Sequence, residues 1–513
     1  MKTRCPINTQ TACSFISGIL LVFAFAPWQW YGLAPLAMAG FAYPVLRAQS
    51  WQEATRCGWW FGFGYFLFGI SWVYVSMHDF GNMHLLLAAL FTFLFCGLLA
   101  WFPALVATVS WQWRDQSGQW VLVTACAWVL AEWIRSNLFT GFPWLLLGYS
   151  QTRGVLSKLA PLIGVYGLSF VTLLIGLLLV VAWKHLRARE QNFSGQFIVI
   201  GMLFTLIGMY LIPFPHWTTP QENDTTVALI QGNIPQSLKW SEAYANKTVD
   251  IYRTLSGPYW NDDVVIWPES AVPILWPFAA ENLSSIGQIL QTHHSTLITG
   301  IPVMTNDETY YNAIMAFGAQ PTSYRKHHLV PFGEFIPFTN ILRHLGGLFD
   351  LPMSDFQAGD LQQPTINAGL LRLAPFICYE IAYSDSVLAN SPPSNALLTL
   401  SNDAWFGSMA ASQHLQMAQM RSLQTGRPQL FVNNTGKSAI IGADGSVQAQ
   451  TVQNKQTTLE GSLVGYEGMT PWLYYGDTPI LITCLILLFS FISLRFSPIL
   501  PRLLLNSKKG EYS

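Results

Sequence analysis

Charge is what this sequence has least of. Asp, Glu, Lys and Arg make up 10% of its 513 residues, where a soluble domain carries about 25%. A chain so poor in charge cannot present a water-facing surface over its whole length. Nor is its charge one-sided: a net value of -1 gives no general reason to expect nucleic-acid binding. It has no internal repeat, no low-complexity tract and no Gly-x-x-x-x-Gly-Lys phosphate loop. Its histidines offer no chelating pattern, because His293-His294 and His327-His328 are adjacent pairs, a poor geometry for one metal ion. Neither a metal nor another cofactor is expected. Cysteine is nearly confined to apolar segments, where a thiol acts as a small hydrophobe. Of the Cys at 5, 13, 57, 96, 126, 378 and 484, only Cys378 lies outside them.

Apolar and aromatic residues are abundant instead. The chain is 51% hydrophobic, with 21 Trp, 33 Phe and 19 Tyr, and its mean hydropathy is +0.32. Aromatic rings sit well at membrane–water interfaces. Apolar stretches cover residues 14–30, 31–46, 57–76, 85–109, 120–134, 163–183, 197–214 and 480–496. A span takes ~20 residues, with ~17 as the lower end; the second and fifth stretches are short, and the pattern predicts about eight spans. Ala24-Phe25-Ala26 resembles a signal-peptide cleavage site. Another apolar stretch follows at once, which favours a retained helical hairpin.

Loop charges orient the bundle. Lys2, Arg4, Arg47, Arg56, Arg114, Lys184, Arg187, Arg189, Arg495, Arg502, Lys508 and Lys509 fall on one side, and only Arg135, Arg153 and Lys158 lie in the short loops opposite. By the positive-inside rule the larger group marks the cytoplasm, both termini included. Residues 215–477 then face the periplasm, if the host has two membranes, and the spans lie in its inner membrane. The expected organisation is a helical bundle at 1–214, an external domain at 215–477, and a last span with a cytoplasmic tail at 478–513.

The external segment has short β-rich runs at 227–231, 264–267, 296–299, 313–317, 371–378, 396–400, 430–433 and 438–442. Helical-looking segments, such as 284–291 and 412–423, separate several of them. This alternation predicts a layered α/β domain with one core. Pro213, Pro215 and Pro220 punctuate the exit from the membrane.

Cys378 ends an apolar run and precedes Tyr379-Glu380, which puts it at a strand terminus. It has no disulfide partner in its domain, although the compartment would favour one. Taken alone it could equally be a buried structural cysteine. Two motifs upstream give it a chemical context. In Val264-Val265-Ile266-Trp267-Pro268-Glu269-Ser270 an apolar strand delivers Glu269 to a partly desolvated strand end, the setting for a general base. In Tyr324-Arg325-Lys326-His327-His328-Leu329-Val330-Pro331-Phe332-Gly333-Glu334-Phe335, Lys326 is either part of a solvated basic turn or a fixed ammonium for an oxyanion, with Glu334 as its countercharge. Together they supply a base, an electrophilic stabiliser and a soft nucleophile.

Those motifs, in that order, resemble the carbon–nitrogen hydrolase (nitrilase) superfamily, whose catalytic set is Glu, Lys and Cys. More closely the chain resembles the bacterial apolipoprotein N-acyltransferases. Gln231-Gly232-Asn233-Ile234-Pro235-Gln236 with Trp240 is similar to that family's domain opening. Ser401-Asn402-Asp403-Ala404-Trp405-Phe406-Gly407, Gln413-His414-Leu415-Gln416-Met417-Ala418 and Asn434-Thr435-Gly436 continue the likeness, as do Gly69-Ile70-Ser71-Trp72-Val73-Tyr74-Val75-Ser76 and Thr140-Gly141-Phe142-Pro143-Trp144 in the bundle. Arg325 and His327-His328 differ from the residues commonest there, which bears on fine tuning rather than chemistry.

The resemblance implies a polytopic bundle of eight spans carrying an α-β-β-α sandwich. It makes Glu269 the general base, Lys326 the oxyanion stabiliser, Cys378 the nucleophile and Glu334 a supporting group. Trp240, Tyr379 and Glu380 would line or shape the substrate pocket. The implied reaction moves an acyl chain from a membrane phospholipid, phosphatidylethanolamine being the expected donor, to the α-amino group of a diacylglyceryl-cysteine on a lipoprotein. A Cys thioester is the expected intermediate, with Lys326 favouring the thiolate. Residues 272–278 and 345–353 are candidate arms touching the membrane, and Glu132 with Arg135 a structural pair in the fifth span. A membrane-tethered amidase or nitrilase would use the same catalytic residues. A transporter or scaffold with an inert external domain would not need them.

Overall fold

Apolar helices fill the amino-terminal part of the chain: α1 (Ile7–Val22), α2 (Leu33–Arg47), α3 (Trp51–Gly69), α4 (Leu85–Leu99) running into α5 (Trp101–Trp111), α6 (Ser117–Asn137), α7 (Ala160–Arg187) and α8 (Ser194–Leu211). This computed structural model describes residues 7–187, 194–211, 213, 215–331, 333–335 and 356–496. Local sequence sets the helix ends. Ser50 caps α3 by accepting from the Glu53 amide, while Glu53 accepts from the amide of Gln49. Small residues let helices approach: a Cβ on Gly58 would sit 2.7 Å from the Pro103 carbonyl.

Among the described residues, three helices are long and apolar enough to cross a membrane: Leu85–Trp111, Val155–Arg187 and Thr478–Arg495. Trp51–Gly69 and Val73–Phe80, bent by 59°, qualify if taken as one span. Thr9–Val22, Leu33–Arg47 and Gly195–Leu211 are apolar but shorter. The last helix, α13 (Thr478–Phe496), leaves Leu485, Ile486 and Phe489 more than half exposed. Such an apolar face needs lipid rather than water. Glu132 and Arg135 on α6 are both buried, and both hold the loop that follows. Arg135 donates to the Phe142 and Trp144 carbonyls at 2.7 and 2.6 Å, and Glu132 accepts from the Leu147 amide at 2.7 Å. Their role is structural, through that loop. Lys2, Arg4, Arg189, Arg502, Lys508 and Lys509 lie outside the described residues.

Two six-stranded sheets follow among the described residues. One runs in the order β12-β1-β2-β3-β4-β5, from β1 (Thr218–Gln231), β2 (Val264–Ile266), β3 (Thr296–Met304), β4 (Tyr310–Phe317), β5 (Thr322–Arg325) and β12 (Thr457–Gly468). The other runs β11-β10-β9-β8-β7-β6, from β6 (Ile366–Ala368), β7 (Leu371–Ile377), β8 (Ala396–Ser401), β9 (Gln429–Asn433), β10 (Ala439–Ile441) and β11 (Val447–Gln450). Both centres are parallel (β1-β2-β3 and β7-β8-β9) with antiparallel flanks. Strands covered on both faces read as continuous apolar runs, which is why Val264-Val265-Ile266 and Ala396-Leu397-Leu398 are fully buried.

Val227, Leu229, Ile266 and Ile298 of one sheet form a core with Leu373, Leu398, Leu400 and Val432 of the other. Outside the first sheet lie α9 (Glu242–Ser256) and α10 (Ala280–His293), through Tyr252, Leu283 and Ile286. Outside the second lie α11 (Ser384–Asn390) and α12 (Gly407–Thr425), through Val387, Leu415 and Ala418. The order of layers is α-β-β-α, the nitrilase-like sandwich expected.

The polar helix α12 is buried on all sides because its second face meets the bundle. Gln413 accepts from the indoles of Trp72 and Trp144 at 3.2 and 2.6 Å and donates to the Gly69 carbonyl at 3.0 Å. Gln416 accepts from the Ala26 amide and donates to the Tyr149 carbonyl, each at 2.9 Å. The motifs around residues 69–76, 140–144 and 413–418 thus meet at one junction.

Several expectations need correction. β5, β6, β11 and β12 go beyond the sequence reading, being the short or polar edge strands of the two sheets. Pro220 lies inside β1, beside a register shift that spares the ladder its missing N–H. Residues 272–278 are no free arm: the Val272 amide donates to Gly300 at 3.2 Å, the Trp276 amide to Pro302 at 2.9 Å, and the Trp276 ring lies 5.6 Å from Phe317. Only its end projects, with Phe278 65% exposed. The second candidate arm, 345–353, lies outside the described residues.

Candidate active site

Strand ends of the first sheet deliver the charged groups. Beyond β2, the Trp267 amide stays on the Ile298 carbonyl (2.8 Å), and the chain then folds over β3. Gly300 is required there, because a Cβ would meet the Ser270 nitrogen at 2.4 Å and the Glu269 Cα at 2.6 Å. Glu269 is thereby held at the sheet end, 8% exposed. Lys326 follows β5, its amide on the Asn312 carbonyl at 2.8 Å. Its ammonium, 1% exposed, lies 2.9 Å from Glu334 Oε1 and 3.6 Å from Glu269 Oε1. Burial opposes this positive charge, but Glu334 and Glu269 outweigh it and hold the lysine above its ordinary pKa. The ammonium is permanent at physiological pH.

Sequence reasoning missed Asn312 and Lys239. Asn312, on β4, donates to both Glu269 Oε1 (2.9 Å) and Glu334 Oε1 (2.7 Å), so one amide fixes the two carboxylates around the lysine. Lys239 ends the short helix Gln236–Lys239, and its fully buried ammonium donates to the Glu269 carbonyl at 2.9 Å. Burial lowers its pKa to about 8, against the opposing pull of Glu269 and Cys378. The signal for it was its place beside Trp240 in the domain-opening motif; Trp240 itself is half-buried next in the chain.

Cys378 leaves the end of β7 in the left-handed region, φ +55°. For a residue other than glycine that costs of order 1–3 kcal/mol and persists only where the surroundings impose it. Glu380 does part of the imposing. Fully buried, it accepts from the amides of Ile377 (2.8 Å), His327 (2.6 Å) and His328 (3.0 Å), and from the Tyr324 hydroxyl (3.1 Å). It shapes the site by tying the cysteine turn to the lysine loop and does not line an opening. Tyr379 is half-buried, its hydroxyl donating to the Leu329 carbonyl at 2.6 Å and its ring 5.7 Å from the Lys326 ammonium.

Lys326 favours the thiolate, as expected, but does not prevail. Burial, then the charge of Glu269, pushes the Cys378 thiol well above its usual range, and Lys326 only partly offsets them. The resting sulfur is a thiol, and its proton must be removed when it attacks. A carboxylate, a paired ammonium and a strained cysteine converge from three strand ends of two sheets. Such a set suits acyl transfer through a covalent intermediate.

Comparison with known proteins agrees in both halves of the chain. Residues 17–178 match the apolipoprotein N-acyltransferase N-terminal domain, and residues 226–464 match the carbon-nitrogen hydrolase domain. An apolipoprotein N-acyltransferase of Pseudomonas aeruginosa is 40% identical over 476 residues, covering 90% of this chain and 92% of that protein. One from Methylococcus capsulatus is 37% identical, covering 91% and 92%. One from Coxiella burnetii is 37% identical, covering 94% and 100%. With 90% or more of its length so matched and its fold so built, the chain belongs to the apolipoprotein N-acyltransferase family.

Proposed function

We propose that the protein transfers an acyl chain from phosphatidylethanolamine to the α-amino group of an S-diacylglyceryl-cysteine at a lipoprotein N-terminus, with Cys378 as acyl carrier. Glu269 takes the thiol proton as sulfur attacks the ester carbonyl, and Lys326 stabilises the tetrahedral oxyanion. The carbon–oxygen bond to glycerol breaks, the alkoxide takes the proton from Glu269, and lysophospholipid leaves. The acceptor amine then attacks the thioester and gives its proton to Glu269. The carbon–sulfur bond breaks, and the thiolate is reprotonated. Glu334 keeps the ammonium in place throughout.

The observation that carries this reading is the Lys326 ammonium, shared at 2.9 and 3.6 Å by Glu334 and Glu269. Its surroundings fit a lipid donor. Bringing an acyl chain into water costs ~0.8 kcal/mol per CH2, so the nucleophile belongs at bilayer level. Tyr383, closing the cysteine turn, donates to the Thr140 carbonyl of the bundle at 3.0 Å. In this reading the bundle has eight spans, the catalytic domain (215–477) is periplasmic and both termini are cytoplasmic.

Intact-mass measurement of the purified enzyme with phospholipid alone tests the chemistry. One fatty acyl mass should appear, map to the Cys378 peptide, be removed by neutral hydroxylamine and be absent from Cys378→Ala. A diacylglyceryl-cysteinyl peptide should then discharge it to N-acylated product. Discharge chiefly to free fatty acid would favour a hydrolase, and full transfer by Cys378→Ala would end the assignment.

A further inference from the structure

Behind the cysteine turn lies a second set of polar groups that the chemistry above leaves unused. Cys378, Asp403 and His414 are 4%, 2% and 1% exposed. The thiol, a carboxylate oxygen and a ring nitrogen lie within 4.8 Å of one another. The three come from separate elements: the end of β7, the turn after β8, and α12. Parallel pairing, with Ile377 opposite Leu400, sets the first two side by side.

Hydrogen bonds hold the carboxylate and the ring in place. Asp403 Oδ1 accepts from the Ser401 hydroxyl at 2.7 Å, and Oδ2 from the Asn433 amide at 2.5 Å. His414 Nδ1 lies 2.9 Å from Asp403 Oδ1, and its Nε2 lies 3.0 Å from the Cys378 carbonyl oxygen. A carbonyl and a carboxylate accept and cannot donate. Both ring nitrogens thus face acceptor oxygens, and the ring is packed between Trp144 and Phe431.

We propose that His414, held as an imidazolium by Asp403, is a positioning residue that fastens the Cys378 carbonyl in its left-handed turn and places a positive charge beside the sulfur. This rests on the reading of Cys378 as nucleophile. Asp403 alone would work against a thiolate, adding its negative charge to that of Glu269 and to the burial of the thiol. An imidazolium at this distance offsets it, because an opposite charge within ~4–6 Å favours the ionised form. The other charged groups facing the sulfur are Glu269, Lys326 and Lys239, all from the first sheet's side. The His414–Asp403 pair supplies the matching control from the second.

Alkylation of Cys378 by iodoacetamide, followed by peptide mass across pH in the detergent-purified full chain, tests this without lipid. The readout therefore stands apart from whether Cys378 carries an acyl group. His414→Gln retains a donor for the Cys378 carbonyl and loses the charge. Its alkylation profile should move to higher pH, with the neutral-pH rate down by about tenfold, one pH unit in the thiol. A folded His414→Gln enzyme with the wild-type profile would overturn the proposal. Should that variant fail to fold, 15N-histidine spectra of the wild-type enzyme decide at assay pH. One ring with hydrogens on both nitrogens supports it, and neutral single-tautomer rings throughout overturn it.

Discussion

Lys326 and Glu334 lie 2.9 Å apart, closer than the 3.6 Å between the same ammonium and Glu269. In the proposed mechanism the lysine is thus anchored by the residue that does not take the proton, and its contact with the Glu269 carboxylate is the looser one. Division of labour follows from that difference. Lys326→Met should slow acyl-enzyme formation by ~100-fold or more, the scale of losing one oxyanion donor, with lipid binding nearly intact. Glu334→Gln should slow the same step less, because the ammonium keeps Glu269. Rapid-quench mass analysis of the acyl-enzyme checks both. Near-normal acylation by Lys326→Met would leave that lysine only a structural role, as the buried countercharge of Glu334 and Glu269.

Gln413 makes three hydrogen bonds to the bundle, with Trp72, Trp144 and Gly69. Gln413→Leu strands those buried groups, each at ~1–3 kcal/mol. Thermal melts in detergent should show a clearly destabilised protein, while Gln413→Glu, which keeps the acceptor for both indoles, should lose less. Equal melting temperatures for wild type and Gln413→Leu would mean that the junction contributes nothing to stability.

How much of this was legible in the sequence depends on what each residue had to signal. Val264-Val265-Ile266 and Ala396-Leu397-Leu398 announced buried parallel strands by composition alone. β12 did not: Thr457–Gly468 includes Glu460 and Glu467 and is half-exposed, and only its pairing with β1 (Gly461 opposite Val227) makes it a strand. Glu269, Lys326, Cys378 and Glu334 were readable because their motifs have a fixed order. Asn312 sits in an ordinary strand with no motif around it, and it joins the site only because β4 lies between β3 and β5. Asp403 and His414 stood in recognised motifs, yet nothing in their spacing told that a parallel strand pair and a doubly covered helix would bring them to the sulfur.

Topology is testable through the chain's asymmetric cations. A reporter active only in the periplasm should work when fused after Pro220 and fail when fused after Arg187. The reverse pattern would place the catalytic domain in the cytoplasm, where diacylglyceryl-lipoproteins already carried across the membrane could not reach it.

Lys239 offers a prediction with a definite sign. Burial lowers its pKa from 10.5 to about 8 in the folded protein. Between those values the unfolded chain binds the proton and the folded chain does not, so stability rises with pH across that window. The contribution is fully present above 10.5 and is lost as pH falls through about 8. A shift of this size corresponds to about 3 kcal/mol, at 1.36 kcal/mol per unit. Lys239→Met removes it, while the other titrating groups remain common to both proteins. The melting temperature of the wild type, taken relative to Lys239→Met, should therefore climb between about pH 8 and 10. Parallel curves over that range would mean that Lys239 keeps its proton as an ordinary lysine does. The ammonium seated on the Glu269 carbonyl would then stay charged beside the nucleophile throughout that range, instead of losing its proton above about pH 8.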